Sequence, residues 1–198
     1  MASESSQGVS LIVGLGNPGA QYARTRHNVG FWLVDRLGAG LRADAKYHAE
    51  IGAATIDGER VVLMKPLTFM NRSGQAVGAY ARFFKIAPAQ ILVVHDELDL
   101  APGTVRLKQG GGHGGHNGLR DISAQLGADY RRLRIGIGHP RDLYPGREVV
   151  DFVLQRPARA ERQAIDERMA AALGVVPMLA AGQWERAGQT LHTVPRAT

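Results

Sequence analysis

Short apolar runs alternate along this chain with longer stretches that have helical periodicity. Three of the runs have the length of strands covered on both faces of a sheet, and they lie at 11–13, 61–64 and 91–94. Apolar residues recur at intervals of three and four after three polar residues that suit helix starts, namely Asn28, Ser73 and Asn117. Strands joined by crossover helices are typical of the α/β class. The pattern therefore predicts an α/β fold on a mostly parallel sheet.

A fourth strand is predicted from strict alternation in the run "RRLRIGIG" at 131–138. One face of this strand is apolar and consists of Leu133, Ile135 and Ile137. The other face carries Arg132 and Arg134, which predicts a side that is either solvated or functional.

The remaining C-terminal pattern predicts a loop followed by a helix. Two prolines and a glycine indicate a loop over 139–147. Helical spacing then returns, with a stop expected before Pro177; the apolar positions are Ile165, Met169 and Leu173.

Length and composition limit the class of protein. With 198 residues and 44% hydrophobic residues, the chain is long enough to bury one core, and we expect one domain at 9–198 after a disordered extension at 1–8. The absence of cysteine excludes disulfides and thiolate chemistry. Neither a secretory leader nor a membrane span is evident, so we expect a cytoplasmic protein.

A glycine fingerprint follows the first apolar run. Gly14, Gly16 and Gly19 match the spacing of a dinucleotide-binding turn, which would make the protein a nicotinamide-dependent oxidoreductase. That site also needs an acidic residue at the end of the next strand. Asp35 lies in the middle of a predicted helix, and Asp57 comes too late in the chain. The context therefore favours a tight turn over NAD binding.

Polar side chains follow three of the predicted strands. Asn17 comes after the first strand, Asn71 after the second and Asp96 after the third. The carboxyl ends of parallel strands meet at one edge of the sheet, where ligands bind in open α/β folds. The sequence therefore predicts a site at this edge, although each residue taken singly is also typical of a loop cap.

His27 supplies a candidate general base for the same edge. Paired with Asp96, its imidazole would be held in one tautomer and stabilised after it takes up a proton. The chain has no cysteine, and Ser73 is explained as a helix cap, so water is the nucleophile that is left.

The stretch "QGGGHGGHNG" at 109–118 contains six glycines before a predicted helix. Glycines let backbone N–H groups approach a ligand closely, and the N-terminus of a helix favours phosphate or a developing oxyanion. His113 and His116 lack the helical spacing of a zinc site, so we expect no metal. The chain carries 24 basic against 18 acidic residues, a net charge of +6, and basic residues flank this loop: Arg106, Lys108, Arg120, Arg131, Arg132 and Arg134. This distribution favours a phosphate-bearing partner near the site, with a solvated surface as the alternative for Arg120 and Arg131.

Four long motifs in this order resemble the bacterial peptidyl-tRNA hydrolase family. They are "VGLGNPGAQYARTRHNVG", "KPLTFMNRSG", "HDELDLAPGTVRLKQGGGHGGHNGLRDI" and "RLRIGIGHP", and they span residues 11–140. The resemblance implies an esterase that frees peptides from tRNA when translation aborts. It further implies a single three-layer α/β/α domain around a mixed twisted sheet, monomeric and without cofactor or metal.

The resemblance also implies a role for individual residues. His27 would activate water and would be held by Asp96, while Asn17 and Asn71 would position the substrate. Asn117 would stabilise the carbonyl oxygen as it becomes anionic, with His116 beside it. The remaining contacts implied are Tyr22 and Met70 around the terminal adenosine and the peptide, and Lys108 and Arg134 on the 5′-phosphate of tRNA. Arg72 departs from the family pattern, and we expect it to face solvent, with a contact to RNA as the alternative.

A second hypothesis from another class is an RNA-binding module that keeps the basic face and has lost the chemistry. The full set of His27, Asp96 and the three asparagines argues for the enzyme.

Overall fold

A mixed seven-stranded sheet forms the centre of the computed structural model, which describes residues 7–38 and 40–193. The spatial order of the strands is β2-β3-β4-β1-β5-β7-β6. Their bounds are β1 Leu11–Gly14, β2 Arg42–Asp44, β3 Ala49–Ile56, β4 Glu59–Pro66, β5 Ile91–Glu97, β6 Val105–Gln109 and β7 Arg131–Gly136. The three apolar runs lie in β1, β4 and β5, at the centre of the sheet, which confirms their prediction as strands buried on both faces.

Helices cover both faces of the sheet. Their bounds are α1 Val29–Arg36, α2 Ser73–Phe83, α3 Asn117–Leu126, α4 Pro140–Leu143, α5 Val149–Val153, α6 Arg159–Ala180 and α7 Trp184–His192. Short 3₁₀ helices lie at Arg26–Asn28, Met70–Arg72 and Pro88–Gln90. None of the helices in the described part of the chain has the length and apolar character needed to cross a membrane.

Two apolar clusters, one on each face of the sheet, form the core. The first packs α1, α5, α6 and α7 against one face, and the second packs α2 and α3 against the other. Alternate residues of β1 divide between them, since Ile12 belongs to the first cluster and Val13 to the second. The α/β/α prediction is confirmed.

The central strands are parallel and the outer ones antiparallel. β1 runs parallel to both β4 and β5, and β5 runs parallel to β7. The hairpin partners β2, β3 and β4 are antiparallel, as is the edge strand β6 against β7. The carboxyl ends of β1, β4 and β5 therefore meet at one edge.

The second face of β7 was predicted to be either solvated or functional, and the solvated alternative is wrong for Arg132. Arg131 lies over the Trp184 ring of α7 on one face of β7, and the loop at 109–118 covers Arg132 on the other face, so each of the two residues is only 3% exposed. The buried guanidinium of Arg132 donates hydrogen bonds to the carbonyls of Gly111 and Gly112, while Arg131 donates to the carbonyl of Gln7. The solvated alternative for Arg131 is wrong for the same reason.

Two of the predicted helix caps are also wrong. Neither Asn28 nor Ser73 accepts a hydrogen bond from the first turn of its helix. Asn28 bonds instead to the backbone of Asn17, and the Ser73 hydroxyl donates to the carbonyl of Met70. In both places a 3₁₀ turn precedes the helix, and in α2 the backbone N–H of Gly74 donates to the carboxylate of Asp121.

Two further boundaries differ from expectation near the C-terminus. The predicted loop at 139–147 contains the short helix α4. The helix expected to stop before Pro177 continues through it to Ala180, where Val176 and Leu179 are buried in the core. Burial of this last turn offsets the hydrogen bond that proline cannot donate.

The domain boundaries remain a proposal. Residues 1–6 of the predicted extension and 194–198 of the predicted domain lie outside the described residues. Within the extension, the Gln7 carbonyl accepts the hydrogen bond from Arg131, and at the start of the predicted domain the backbone N–H of Val9 donates to the carbonyl of Leu179.

Candidate active site

A cleft of about 1010 Å³ lies along the edge where β1, β4 and β5 end. Side chains from the segments that follow these strands line the cleft, together with the glycine loop at 109–118 and α5. Among the residues predicted for the site, the cleft is lined by Asn17, His27, Met70, Asn71, Asp96, Lys108, His116, Asn117 and Arg134.

His27 and Asp96 meet in this cleft, although 69 positions separate them in the chain. His27 stands in the 3₁₀ turn between β1 and α1, and Asp96 near the end of β5. The distance from Nδ1 of His27 to Oδ2 of Asp96 is 2.8 Å. Glycines permit this approach, because a Cβ on Gly30 would collide with the backbone of Leu15 and Val94. The predicted carboxylate–imidazole pair is thus present.

His116 binds the other oxygen of the same carboxylate. Its Nε2 lies 2.8 Å from Oδ1 of Asp96, and its Nδ1 accepts hydrogen bonds from the backbone N–H groups of Gly118 and Leu119 at 3.1 and 3.3 Å. The side chain is therefore the N-cap of α3. A nitrogen that accepts two N–H groups carries no proton, so the proton of His116 is on Nε2, where it is donated to Asp96.

The hydrogen bonds also determine the tautomer of His27. An ionised carboxylate only accepts, so His27 donates its Nδ1 proton to Asp96 and leaves Nε2 as a lone-pair base. Burial lowers the pKa of His27, but the charge of Asp96 and the hydrogen bond to it together raise the pKa above the ordinary 6.5. The base is therefore stronger than a free imidazole.

Asp96 is ionised, although it is only 4% exposed. Burial alone would raise the pKa of this carboxyl, but His27 and His116 hold it well below its usual range. His95 lies beside this group, and burial together with the neighbouring His116 lowers its pKa to about 3, so it is neutral. Its Nδ1 donates to the backbone carbonyl of Asp96 at 2.7 Å, which helps to hold the strand end.

Asn17 braces the loops on either side of the cleft. Its Oδ1 accepts the backbone N–H of Met70 at 2.7 Å, and its own backbone exchanges two hydrogen bonds of 2.9 Å with the side chain of Asn28. Within residues 7–38 and 40–193, Nδ2 of Asn17 has no protein partner, and this donor is available to a substrate.

Asn71 and Asn117 are exposed in the cleft wall. Asn117 is the first residue of α3, beside the positive end of the helix dipole, and its Oδ1 accepts a long hydrogen bond of 3.4 Å from Arg120. Neutral amides at this edge favour an oxygen that gains negative charge. Arg72, in the adjoining turn, is exposed.

The glycine loop has a conformation that other residues rarely adopt. Positive φ angles of 69°, 93°, 57° and 83° occur at Gly110, Gly111, Gly114 and Gly115. The hydrogen bonds from buried Arg132 hold two carbonyls of this loop. Sequence reasoning missed this role of Arg132, because an arginine on an alternating strand suggests solvent.

Lys108 and Arg134 belong to a cationic face on β6 and β7. Arg106 pairs with Arg134 across these strands, and Lys108 with Arg132, so all four side chains point to the same side. Arg134 donates from Nε to Glu97 at 2.8 Å, and Lys108 is exposed. Both predicted residues line the cleft at this end.

Phe69 is a cleft residue that the sequence analysis did not single out. It is 52% exposed, and its backbone has φ 60° and ψ 156°, a region normally reserved for glycine. Its ring meets that of Tyr22 edge to face with centroids 6.4 Å apart. The predicted Tyr22 therefore reaches the cleft through Phe69, and no sequence signal pointed to this contact.

Three potential metal ligands come together within the described residues: the donor atoms of His27, Asp96 and His116 lie within 4.8 Å of one another. The hydrogen bonds oppose their use by a metal. Ligation through Nε2 of His116 would displace its proton toward Nδ1, which already accepts two backbone N–H groups of α3. The prediction that the site works without a metal therefore stands as a proposal.

Comparison with known proteins gives consistent matches over nearly the whole chain. The family model described as "Peptidyl-tRNA hydrolase" matches residues 11–197. A peptidyl-tRNA hydrolase from Bordetella avium (strain 197N) is 55% identical over 193 residues, covering 95% of this chain and 93% of the relative. One from Bordetella petrii is 54% identical, covering 95% and 92%.

Solved structures agree. A mutant peptidyl-tRNA hydrolase from Acinetobacter baumannii superimposes with a TM-score of 0.92 at 46% identity, covering 97% of this chain and 98% of that one. Another structure of the hydrolase from that organism gives a TM-score of 0.90 at 48% identity, covering 96% and 97%.

Proposed function

This chain belongs to the peptidyl-tRNA hydrolase family, and on that premise we propose that His27 and Asp96 activate the water that cleaves its substrate. Its reaction is hydrolysis of the ester bond between peptide and tRNA. The observation that carries the catalytic proposal is the 2.8 Å contact between His27 Nδ1 and Asp96 Oδ2 in the cleft.

The base in this proposal is Nε2 of His27. It takes a proton from water while the water oxygen attacks the carbonyl carbon of the ester, and the carbonyl oxygen becomes anionic. When the ester C–O bond breaks, the imidazolium returns the proton to the leaving ribose oxygen. Asp96 stays ionised throughout, stabilises the imidazolium and keeps Nδ1 protonated.

The three asparagines would position the ester and stabilise the oxyanion. Nδ2 of Asn17, which lines the same cleft as the base, is a donor without a protein partner among the described residues, and Asn71 is exposed in the 3₁₀ turn that begins at Met70. Asn117 stands at the N-terminus of α3, where the helix dipole favours negative charge. Donors fixed before the reaction stabilise the transition state without reorganisation.

The cationic face on β6 and β7 would bind tRNA phosphate through Lys108 and Arg134, which both line the cleft. Lys108 is an exposed point charge, and Arg134 binds Glu97 through Nε, which leaves its terminal nitrogens without a partner among the described residues and so available to a ligand. Tyr22, with Phe69, and Met70 would surround the terminal adenosine and the first residue of the peptide. We also propose a cytoplasmic monomer that needs no cofactor.

Release of peptide from purified peptidyl-tRNA tests the proposal. We expect His27→Ala to lower kcat by about a thousandfold, the usual size of a general-base contribution, and to leave the Kd for deacylated tRNA nearly unchanged. His48→Ala is the matched control, because His48 is an exposed histidine outside the cleft. Wild-type turnover by His27→Ala would disprove the catalytic assignment.

Two further arms separate the alternatives. Activity that survives a chelator supports the metal-free route, whereas its loss would point to a metal on the histidines. Binding of tRNA without peptide release by the wild-type chain would favour the RNA-binding module.

A further inference from the structure

Arg26 precedes the proposed base in the chain and has no part in the mechanism above. Its side chain is 2% exposed, which is rare for arginine, and Glu161 is its ion-pair partner. The guanidinium carbon lies 4.0 Å from the ring centroid of Phe152. A buried charge does not contribute to solubility, so the position of Arg26 needs another explanation.

The guanidinium of Arg26 connects three segments that are distant in sequence. Nη1 donates to the carbonyls of Phe152 and Gln155 at 3.0 and 3.5 Å, and so caps the C-terminal end of α5. Nη2 donates to both carboxylate oxygens of Glu161 on α6 at 3.3 and 3.2 Å. The Tyr144 hydroxyl, just after α4, donates to the same carboxylate at 3.0 Å. One side chain thus joins the turn of the base to α4, α5 and α6.

The segment held by Arg26 forms an apolar wall of the cleft. Val149 and Val150 of α5 and the following Leu154 line it, although they are 39%, 61% and 37% exposed. Large apolar side chains left open at a cleft rim indicate a binding surface. Phosphate gains nothing from such a surface, whereas the peptide part of the substrate does.

We propose that Arg26 is a positioning residue that sets the distance between the base on His27 and the apolar wall of α5, so that the bound peptide is held in register with the attacking water. The inference rests on the function proposed above. It adds that the peptide end of the substrate is placed relative to the base through a single buried guanidinium.

Stability alone does not account for this arrangement. A buried ion pair contributes little net stability compared with apolar residues of the same volume. The guanidinium of Arg26 instead fixes the relative orientation of the segments that it binds, because its hydrogen bonds to two backbone carbonyls and one carboxylate define a position in three dimensions. That property is needed where a small displacement affects the reaction.

A double-mutant cycle on N-acetyl-phenylalanyl-tRNA hydrolysis tests the proposal. The lysine of Arg26→Lys keeps the charge but cannot reach all three partners, and we expect kcat/KM to fall about tenfold, chiefly through KM. Val150→Ser, on the exposed wall, should cost about threefold. If Arg26 acts through the wall, the double variant loses about tenfold, whereas independent effects would multiply to about thirtyfold.

Controls separate positioning from folding. Asp166 lies on α6, as Glu161 does, but away from the cleft, and it forms surface ion pairs with Arg36 of α1 and with Arg162; Asp166→Asn breaks these pairs and should leave kcat/KM unchanged. Glu161→Gln keeps the shape of the partner and weakens the contact, so it replaces Arg26→Lys in the cycle if that variant has lost its thermal unfolding transition.

Wild-type kcat/KM in both Arg26→Lys and Glu161→Gln, or multiplicative losses in the cycle, would overturn the proposal. Either result would leave the assignment of His27 intact, because that assignment is tested by kcat in His27→Ala.

Discussion

Replacing His116 by asparagine should change the pH dependence of the reaction more than its maximum rate. Asparagine is a good N-cap, so the two N–H groups of α3 that bind His116 keep an acceptor. It is too short to donate to Oδ1 of Asp96, which His116 reaches at 2.8 Å. His116→Asn therefore preserves the helix and removes one of the two imidazole donors from the carboxylate.

The expected size follows from that lost donor. A hydrogen bond to a charged group is worth about 1.5–3 kcal/mol, and water from the cleft replaces part of it. In the variant, the negative charge of Asp96 is shared with one imidazole donor and not two, so Asp96 stabilises the imidazolium of His27 more strongly than in the wild type. Since 1.36 kcal/mol corresponds to one pKa unit, we expect the pKa of His27 to rise by about one unit further.

The sign for activity is the opposite of the sign for the pKa. The reaction needs neutral His27, so kcat/KM increases with pH through the pKa of His27, which already lies above 6.5, and is lost below it. In His116→Asn the acid limb should move to higher pH by about one unit, while the alkaline plateau stays within about threefold of wild type.

Profiles of kcat/KM between about pH 5 and about pH 9 measure both quantities. His113→Asn is the matched control, because His113 lies in the same loop and caps Gly115 without touching Asp96. An unchanged acid limb would refute the reasoning. Loss of activity at every pH, as deep as in His27→Ala, would assign the catalytic base to His116.

Two other predictions concern binding and stability. Lys108→Ala and Arg134→Ala should each raise KM, leave kcat nearly unchanged and reduce the slope of log KM against log salt by about one, measured by titrating salt. A salt slope equal to that of wild type would remove these residues from the phosphate contact. Lys85→Gly should stabilise the fold by about 0.5–1 kcal/mol, because Lys85, two residues after the end of α2, has φ 53°, a conformation that glycine adopts without strain. A lower midpoint of thermal unfolding would contradict it.

Local patterns predicted the centre of this fold well. The apolar runs of β1, β4 and β5 are buried on both faces, and a run of that kind has few alternatives in a chain of this length. The outer strands on both sides of this centre were not predicted. β2, β3 and β6 mix polar and apolar residues because one side or one end of each meets solvent, and their patterns are therefore weak.

The candidate site divides in the same way. Asn17, Asn71 and Asp96 follow strands, so their shared edge could be inferred from topology, and His27 follows from the turn that precedes α1. The role of His116 could not be inferred. A histidine before a helix suggests a cap, and its second bond, to Asp96, depends on how α3 packs beside β5.

By itself, the sequence determined the fold class, the edge at which the site lies and the family, because short-range periodicity and long motifs carry that information. Only the tertiary structure decided which charged residues are buried and what they hold. An arginine is usually a solvated cation, whereas Arg26 and Arg132 are buried. They are buried because partners up to 135 positions away offset the cost of removing a guanidinium from water, and only the folded chain brings those partners together.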